Sequence, residues 1–558
     1  MTVTERPDET TASPGARYWH RSLHDYAAMT ASGPGGREGG SAEPARFARH
    51  GSLPRYPLPE PAGELGAVSG AFGSAAGPDG PAAAPTAAFH SALLHYSCGV
   101  LRTEFGPTAR WPYHRAAPSA RCFAPVEAYL WTPGHEGLPA GVHAYDPAHH
   151  ALVRLRPGDH RSVLGKALGA DIEDALGVLI LSTVFWRTAF RYGDYAYRLC
   201  AQETGLVAGN VMMVAGTLGA EAHLHHQFLD GTLDRLLGTE GPQESIAAVL
   251  PLYPRRAEGP RRVRRSAATH AEPALSARLG SPPGRPATAP TGLHGLAELT
   301  AADGAARLTS TAAFSLLPAG TPPPAPPRAP VGAPVGGAEL ADCLRRRTSG
   351  SPAFKPARRP LPLAALLRTL GPLLAPWVSD AVPDGDAPPV TVHLWAVDVS
   401  GLADGIHRVT ADGLHPVGPA GGVHASQLGT EAANIDYRSV GAVVFLSAPR
   451  EDAQAVFGDR GFRVLHHEAG VVAQRLCVLS AAEGLAARIH NGYAARTVSR
   501  ALGLPPGHEP LFQIALGTPG PDERYLMPVP RLSPPAHGPG RPGLHPGGEP
   551  VQNEVHCA

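Results

Sequence analysis

Between about residue 88 and residue 256 the chain alternates short apolar runs with segments in which apolar residues return every three or four positions. VEAYLW (126–131) and GVLILSTV (177–184) are rich in aliphatic and β-branched residues and predict buried strands. YAYRLCAQETGLVAGNVMMVAGTLG keeps helical spacing over 25 residues and predicts one long helix. Outside this block the pattern loosens. Residues 1–15 are polar, and 31–48 and 66–87 are rich in Gly, Ala and Pro. We expect residues 1–87 to be a tail and a partly disordered segment. A basic, Pro-rich connector fills 257–337, within which 292–317 alternates enough to suggest a hairpin, acting as a lid. A second patterned block spans 338–530, and 531–558 reads as a disordered tail.

The two patterned blocks are copies. At a fixed offset of 265 and without a gap, residues 191–250 match 456–515 at 15 of 60 positions. The shared positions include Gly193/Gly458, Asp194/Asp459, Arg198/Arg463, Glu203/Glu468 and Gly205/Gly470. Each copy runs helix, strand, hairpin, strand, long helix, short helix, final strand. That order predicts a duplicated α+β domain with a mostly antiparallel sheet. The shared Arg198 and Arg463 are expected to form structural ion pairs with carboxylates of the Glu203 or Glu468 type. Arg191-Tyr192 of the first copy becomes Val456-Phe457 in the second, so these two positions separate frame from function.

Composition narrows the classes. Hydrophobic residues make up 43%, enough for real cores, while Gly and Pro together supply 126 of 558 residues, which implies long unpacked segments. Lys+Arg and Asp+Glu balance at 48 each, so no overall field favours nucleic acid or an anionic membrane surface. The arginine cluster after residue 253 lacks interleaved aromatics and reads as a solvated linker. Cys98, Cys122, Cys200, Cys343, Cys477 and Cys557 show no metal-ligand spacing, so neither a zinc site nor a disulfide framework is expected. No signal-peptide core or membrane-length apolar run is present, which predicts a soluble, cytoplasmic protein. His114, His223, His225, His226, His466 and His467 are expected at the surface, and Cys122 as a buried structural thiol.

Four stretches resemble one family. HRAAPSARCFAPVEAYLW (114–131), GLPAGVHAYDPAHHALVRL (137–155), Arg191 to Gly205 and LLGTEGPQESIAAVLPL (236–252) are similar to the FMN-dependent nitroreductase-fold proteins. Within these they resemble the azoline dehydrogenases of ribosomal peptides. The resemblance implies tandem nitroreductase-like domains forming an intramolecular pseudo-dimer, with FMN at the interface. RRRTSG (345–350) resembles the family's phosphate-gripping segment, and Pro118-Ser119 its Pro-Ser loop, each present in one copy only. The resemblance therefore implies one FMN held by Arg347 and Ser349 of the second block and by Pro118, Ser119 and Arg121 of the first. Arg524 stands loosely at the family's C-terminal basic position. The family's catalytic Lys-Tyr pair falls on Arg191-Tyr192. Tyr192 matches, but a guanidinium stays protonated at working pH, so Arg191 can only assist Tyr192 or hold substrate amide oxygens.

The activity so implied is oxidation of thiazoline or oxazoline rings to azoles on a precursor peptide, beside a cyclodehydratase partner. Two other classes fit the same residues. One is an NAD(P)H-dependent nitro or quinone reductase. The other is a catalytically degenerate scaffold of a peptide-azole synthetase, which the missing lysine at position 191 would suit.

Overall fold

The computed structural model describes residues 12–31, 43–72, 83–106, 109, 111–239, 243–256, 262–263, 265–281, 283, 295–318, 337–350, 354–384, 386–417, 434–520 and 525–529. The two largest sheets lie one in each copy. The first has seven strands in the order Arg55–Pro57, Ala151–Pro157, Gly141–Asp146, Val126–Thr132, Gly177–Val184, Glu244–Pro254, Ala220–Ala222. The second has six, in the order Gly413–Pro416, Gly405–Thr410, Thr391–Ala396, Ala442–Pro449, His508–Gly517, Ala486–His490. Every neighbouring pair in both sheets is antiparallel. This is the α+β architecture expected.

Side-chain alternation sorts each sheet into two faces. Val126, Ala128 and Leu130 face the central core, whereas Tyr129 and Trp131 face an outer cluster with Leu233, Leu236 and Leu237. In the second sheet Val392, Leu394 and Ala396 face the same central core, and Trp395 faces outward with Val498 and Leu502. Between the sheets lie two long helices, Ala196–Thr217 and Gly461–Ala482, whose residues are nearly all buried. They are buried all round because each is covered by a sheet and by the other helix, and the polar side chains they carry find partners across the seam.

The repeat explains itself at their crossing. A Cβ on Gly205 would stand 2.9 Å from the Gly470 Cα, and one on Gly470 would stand 2.6 Å from the Gly205 Cα. The duplicated glycines meet each other, and their missing side chains set the approach of the two halves. Gly193 and Gly458, at φ 54 and 59, end the short helices Trp186–Tyr192 and Arg450–Phe457 in a backbone region that other residues avoid.

Arg198 and Arg463 form no ion pair with Glu203 or Glu468. Each crosses the seam instead. Arg198 donates to the Leu511 carbonyl at 3.0 Å and to the Tyr493 hydroxyl at 3.1 Å. Arg463 donates to the Ile246 carbonyl at 3.2 Å, the position equivalent to Leu511, and pairs with Asp230 at 3.0 Å. A duplicated arginine thus performs the same docking twice.

Described parts of the segments outside the two blocks are built into the fold. Helix Pro14–His24 packs Tyr18 and Trp19 into the central core. Its N-terminal Ser13 hydroxyl bonds the Asp459 carboxylate. Residues 297–305 form a helix, not an arm of a hairpin, and Asp194 accepts from the backbone N–H of Glu298 and Leu299 at its start. Asp194 and Asp459 are repeat partners, so the two helices occupy matching places and pack against one another. No described helix is long and apolar enough to cross a membrane.

Candidate functional site

A cavity of about 700 Å³ opens where the two halves meet. From the first half it takes the loop Arg115–Ala124, then Tyr192, Gln202 and Glu203. From the second it takes Arg347–Gly350, Asn434 and Arg488–Gly492. The roof is a three-stranded sheet in which Tyr525–Pro528, from the end of the described chain, pairs with Arg102–Phe105 and this in turn with Tyr113–His114. Arg102 and Leu526 line the cavity from this roof.

Six of the eight expected site residues converge here by different routes. Arg347 follows helix Leu340–Arg346 and is 5% exposed, with Nη1 donating to the Ser349 hydroxyl at 3.1 Å. Arg488 reaches the Ser349 carbonyl at 3.3 Å, and Arg102 the Arg347 carbonyl at 2.8 Å. Pro118, Ser119 and Arg121 line the same cavity. The loop is held tightly. The Ser119 hydroxyl accepts from the Ala124 N–H at 2.9 Å, while Arg121, Cys122 and Ala124 adopt φ of 52, 59 and 47, left-handed values costly for residues with a side chain.

The Arg191-Tyr192 pair divides. Tyr192 lines the cavity, half-buried. Arg191 does not line it; it is exposed, and its guanidinium lies 6.0 Å from the Phe190 ring centre. At the end of a helix turn, successive side chains diverge by about 100°, so neighbours in sequence face different surroundings. Arg524 lies outside the described residues.

Sequence reading missed several lining residues. Glu203 was expected to belong to an ion pair of the frame. Its carboxyl is buried in the cavity wall, and burial pushes it up to about 7, against the opposing pull of a Ser119 hydrogen bond and of Arg115 and Arg187. Burial and then Arg488 push His490 down to about 4, and its Nδ1 accepts from the Gly492 N–H at 2.9 Å. Gln202 and Asn491 exchange two hydrogen bonds across the seam, at 2.7 and 3.0 Å. The Gln202–Asn491 pair carries no local motif, since its two members lie 289 residues apart. His225/His490 is, however, an identity of the repeat, and that was a readable signal.

The histidines expected at the surface are buried. His223, His225, His226, His466 and His467 are each at most 1% exposed, and His114 is 8% exposed. Cys122 is half-buried and lines the cavity. Among the described residues no cluster of three metal-ligating side chains occurs.

No profile of a known protein family matches the chain. A candidate nitroreductase of Methanocaldococcus jannaschii is 31% identical over 125 residues, which is 22% of this chain and 63% of that relative. The crystal structure of a candidate nitroreductase from Anabaena variabilis superposes over 91% of this chain and 100% of its own, with a TM-score of 0.65 and 20% identity. The chain has the nitroreductase fold. The superposition takes in both halves of the chain and the seam between them. A further likeness, to the E. coli microcin synthetase McbBCD complex with truncated pro-MccB17 bound, covers 30% of this chain and 62% of the other at 21% identity. Its TM-score of 0.26 is too low to support an argument.

Proposed function

We propose that this chain is an FMN-dependent dehydrogenase that oxidises azoline rings to azoles on a ribosomally made peptide. The observation that carries the flavin is the meeting of Arg347 and Ser349 with Pro118 and Ser119 in one seam cavity. The donor set suits the group: a buried guanidinium and a hydroxyl, with Arg102 and Arg488 beside them, offer charge-assisted hydrogen bonds to a phosphate. A volume of about 700 Å³ lies within the range of small-molecule and cofactor pockets. Arg347, Ser349 and Arg488 would hold the phosphate, and the Pro118–Ser119 loop the opposite side. When bound, FMN supplies two-electron acceptance.

The chain's own part is to bind, orient and exclude water. Tyr192 lies at the cavity wall, where it can orient substrate or receive a proton. Its repeat partner Phe457 has no hydroxyl, in keeping with one flavin per chain. The peptide substrate rests on the resemblance of residues 114–131 and 137–155 to azoline dehydrogenases. A cyclodehydratase supplying the azoline would be the natural partner.

A second reading has an observation of its own, because the relatives in both comparisons are named as nitroreductases. On that reading the same cavity takes NAD(P)H and a nitro or quinone compound. Two measurements separate the proposals. The purified chain, titrated with FMN, should bind one equivalent with a flavin absorbance band, and failure to bind would end both readings. Mass spectrometry of an azoline peptide turned over by the FMN-loaded protein should show loss of two hydrogens per ring. An unchanged peptide with rapid NAD(P)H consumption on quinones would establish the reductase.

A further inference from the structure

One group of cavity residues remains without a task. The Cys122 Sγ lies 3.7 Å from the His114 Nδ1, and the His114 Nε2 lies 2.9 Å from the Glu104 Oε2. The three come from one compact stretch. Glu104 sits on strand Arg102–Phe105, His114 on its antiparallel neighbour Tyr113–His114, and Cys122 on the left-handed turn that follows the Pro118–Ser119 loop. His114 and Glu104 are 8% and 15% exposed, so the imidazole–carboxylate pair is shielded, while Cys122 faces the cavity. The other cysteines of the described chain, Cys98, Cys200, Cys343 and Cys477, are buried.

The chemistry follows from the order of contacts. A carboxylate on Nε2 favours the tautomer that carries its proton there, which turns the Nδ1 lone pair toward the thiol. The thiol proton can then pass to Nδ1, leaving a thiolate beside an imidazolium that Glu104 stabilises. Other charges face the same place. Arg121 adjoins Cys122 in the chain, Arg102 is the register partner of His114, Arg115 follows His114, and Glu203 is the one carboxylate lining the cavity among the described residues. The positive groups favour a thiolate and Glu203 opposes it. The backbone makes the same point, since Cys122 is kept at φ 59 where a glycine would be unstrained.

We propose that Cys122, activated by His114 and Glu104, is a cavity thiolate that accepts the substrate's Cα proton during ring oxidation. Its role, though not its activation, rests on the dehydrogenase reading above. The step balances: the Cα–H electron pair becomes the new ring double bond, the proton goes to sulfur, and hydride leaves the adjacent ring carbon to the flavin. Cys122 is the catalytic residue in this scheme, and His114 and Glu104 are positioning residues. Tyr192 then orients the ring. Such a base meets the need that Arg191, exposed and permanently charged, cannot.

The first test needs no turnover. Iodoacetamide alkylation of the full chain, followed residue by residue by mass spectrometry from pH 5 to 10, should show Cys122 reacting with a midpoint well below the ~8.5 of a free thiol. His114→Gln should return the midpoint to the ordinary value, and Glu104→Gln should move it part of the way. An ordinary midpoint in the unaltered protein, or a low one indifferent to His114→Gln, would overturn the activated thiolate. The second test uses FMN-loaded protein and an azoline peptide. Cys122→Ser and Cys122→Ala should lose at least a hundredfold in kcat with the flavin spectrum kept, while Tyr192→Phe should lose less. Full activity in both cysteine variants would overturn the role, whereas an unaltered protein that oxidises no azoline would refute the dehydrogenase reading and its Cα-proton role while leaving the alkylation result to stand.

Discussion

The two long helices border two places related by the 265-residue repeat, and among the described residues one of them opens into the cavity of about 700 Å³. On the open side Tyr192, Tyr195, Gln202 and Glu203 look into the cavity with Asn491 and Gly492 opposite. On the other side their partners are Phe457, Arg460, His467 and Glu468, with His226 and Gln227 opposite. There Asp380 lays its carboxylate across the backbone N–H groups of His226 and Gln227, at 2.8 and 3.0 Å. The chain has put an acidic side chain of its own where the open side keeps space for a ligand. Arg460 completes the seal, bonded to Asp230 at 2.7 Å, to the His226 carbonyl at 2.6 Å and to the Ala306 carbonyl at 2.8 Å. Duplication produced two potential pockets, and divergence filled one with a buried polar network. A buried network holds together only when its members are paired, so it should behave as structure, and the open pocket as a binding site.

The strongest contrast comes from the arginines. Arg460→Ala strips Asp230 of a partner in a site where Arg460 and Asp230 are each 1% exposed. Breaking a buried pair from one side costs about 3–5 kcal/mol. Urea unfolding should show that loss, with FMN binding per folded molecule unchanged. A variant as stable as the parent would mean that the network does not seal the second pocket.

Glu203 tests the open side through pH. Its carboxyl is raised from 4.5 to about 7, chiefly by burial, so the folded chain keeps a proton that the unfolded chain releases. Its contribution is whole below about pH 4.5 and is lost as pH rises toward 7, by on the order of 3 kcal/mol in flavin-free protein. Glu203→Gln should remove that part of the stability slope and leave the variant the more stable of the two at pH 8. Equal slopes in both proteins would show that Glu203 is ionised in the fold.

Arg347→Ala should act on the ligand instead. Loss of a charged hydrogen bond to a phosphate costs about 2 kcal/mol, or roughly thirtyfold in FMN affinity. Fluorescence titration would measure it, and unaltered affinity would remove Arg347 from the phosphate site.

How much of this could be read in the sequence depends on the reach of each interaction. The strands 126–131 and 177–184 and the long helix were legible because periodicity is local. The repeat glycines were legible as frame, although their reason, backbone against backbone at Gly205 and Gly470, needed the fold. Arg198 and Arg463 were assigned the wrong partners because acids close by in sequence are not the nearest groups across the seam. The histidines were discounted by their number, and burial beside Glu468 and Asp380 is a tertiary fact that composition does not carry. Helix 297–305 was hidden because Pro-rich flanks surround a segment whose packing partners, helix Pro14–His24 and Arg463 among them, lie far away in sequence.

The smallest effect bears most directly on what closes the second pocket. His226 and His467 stand where Asn491 and Gln202 stand on the open side, with their Nδ1 atoms 3.2 Å apart and the His226 Nε2 held by Glu468 at 2.7 Å. Burial drives His467 well below the ordinary imidazole value, so the pair is not doubly charged. His226→Asn with His467→Gln imports the open side's own pair, and two amides can replace the imidazole contact one for one. Asp380, Arg460 and Asp230 remain in place. Stability should therefore fall by no more than about 1 kcal/mol, the net worth of a typical buried hydrogen bond. FMN stoichiometry should stay at one per chain. A second equivalent bound by this double variant would show that the histidine pair alone keeps the pocket shut, because the backbone donors of residues 226 and 227 would then have exchanged Asp380 for the flavin.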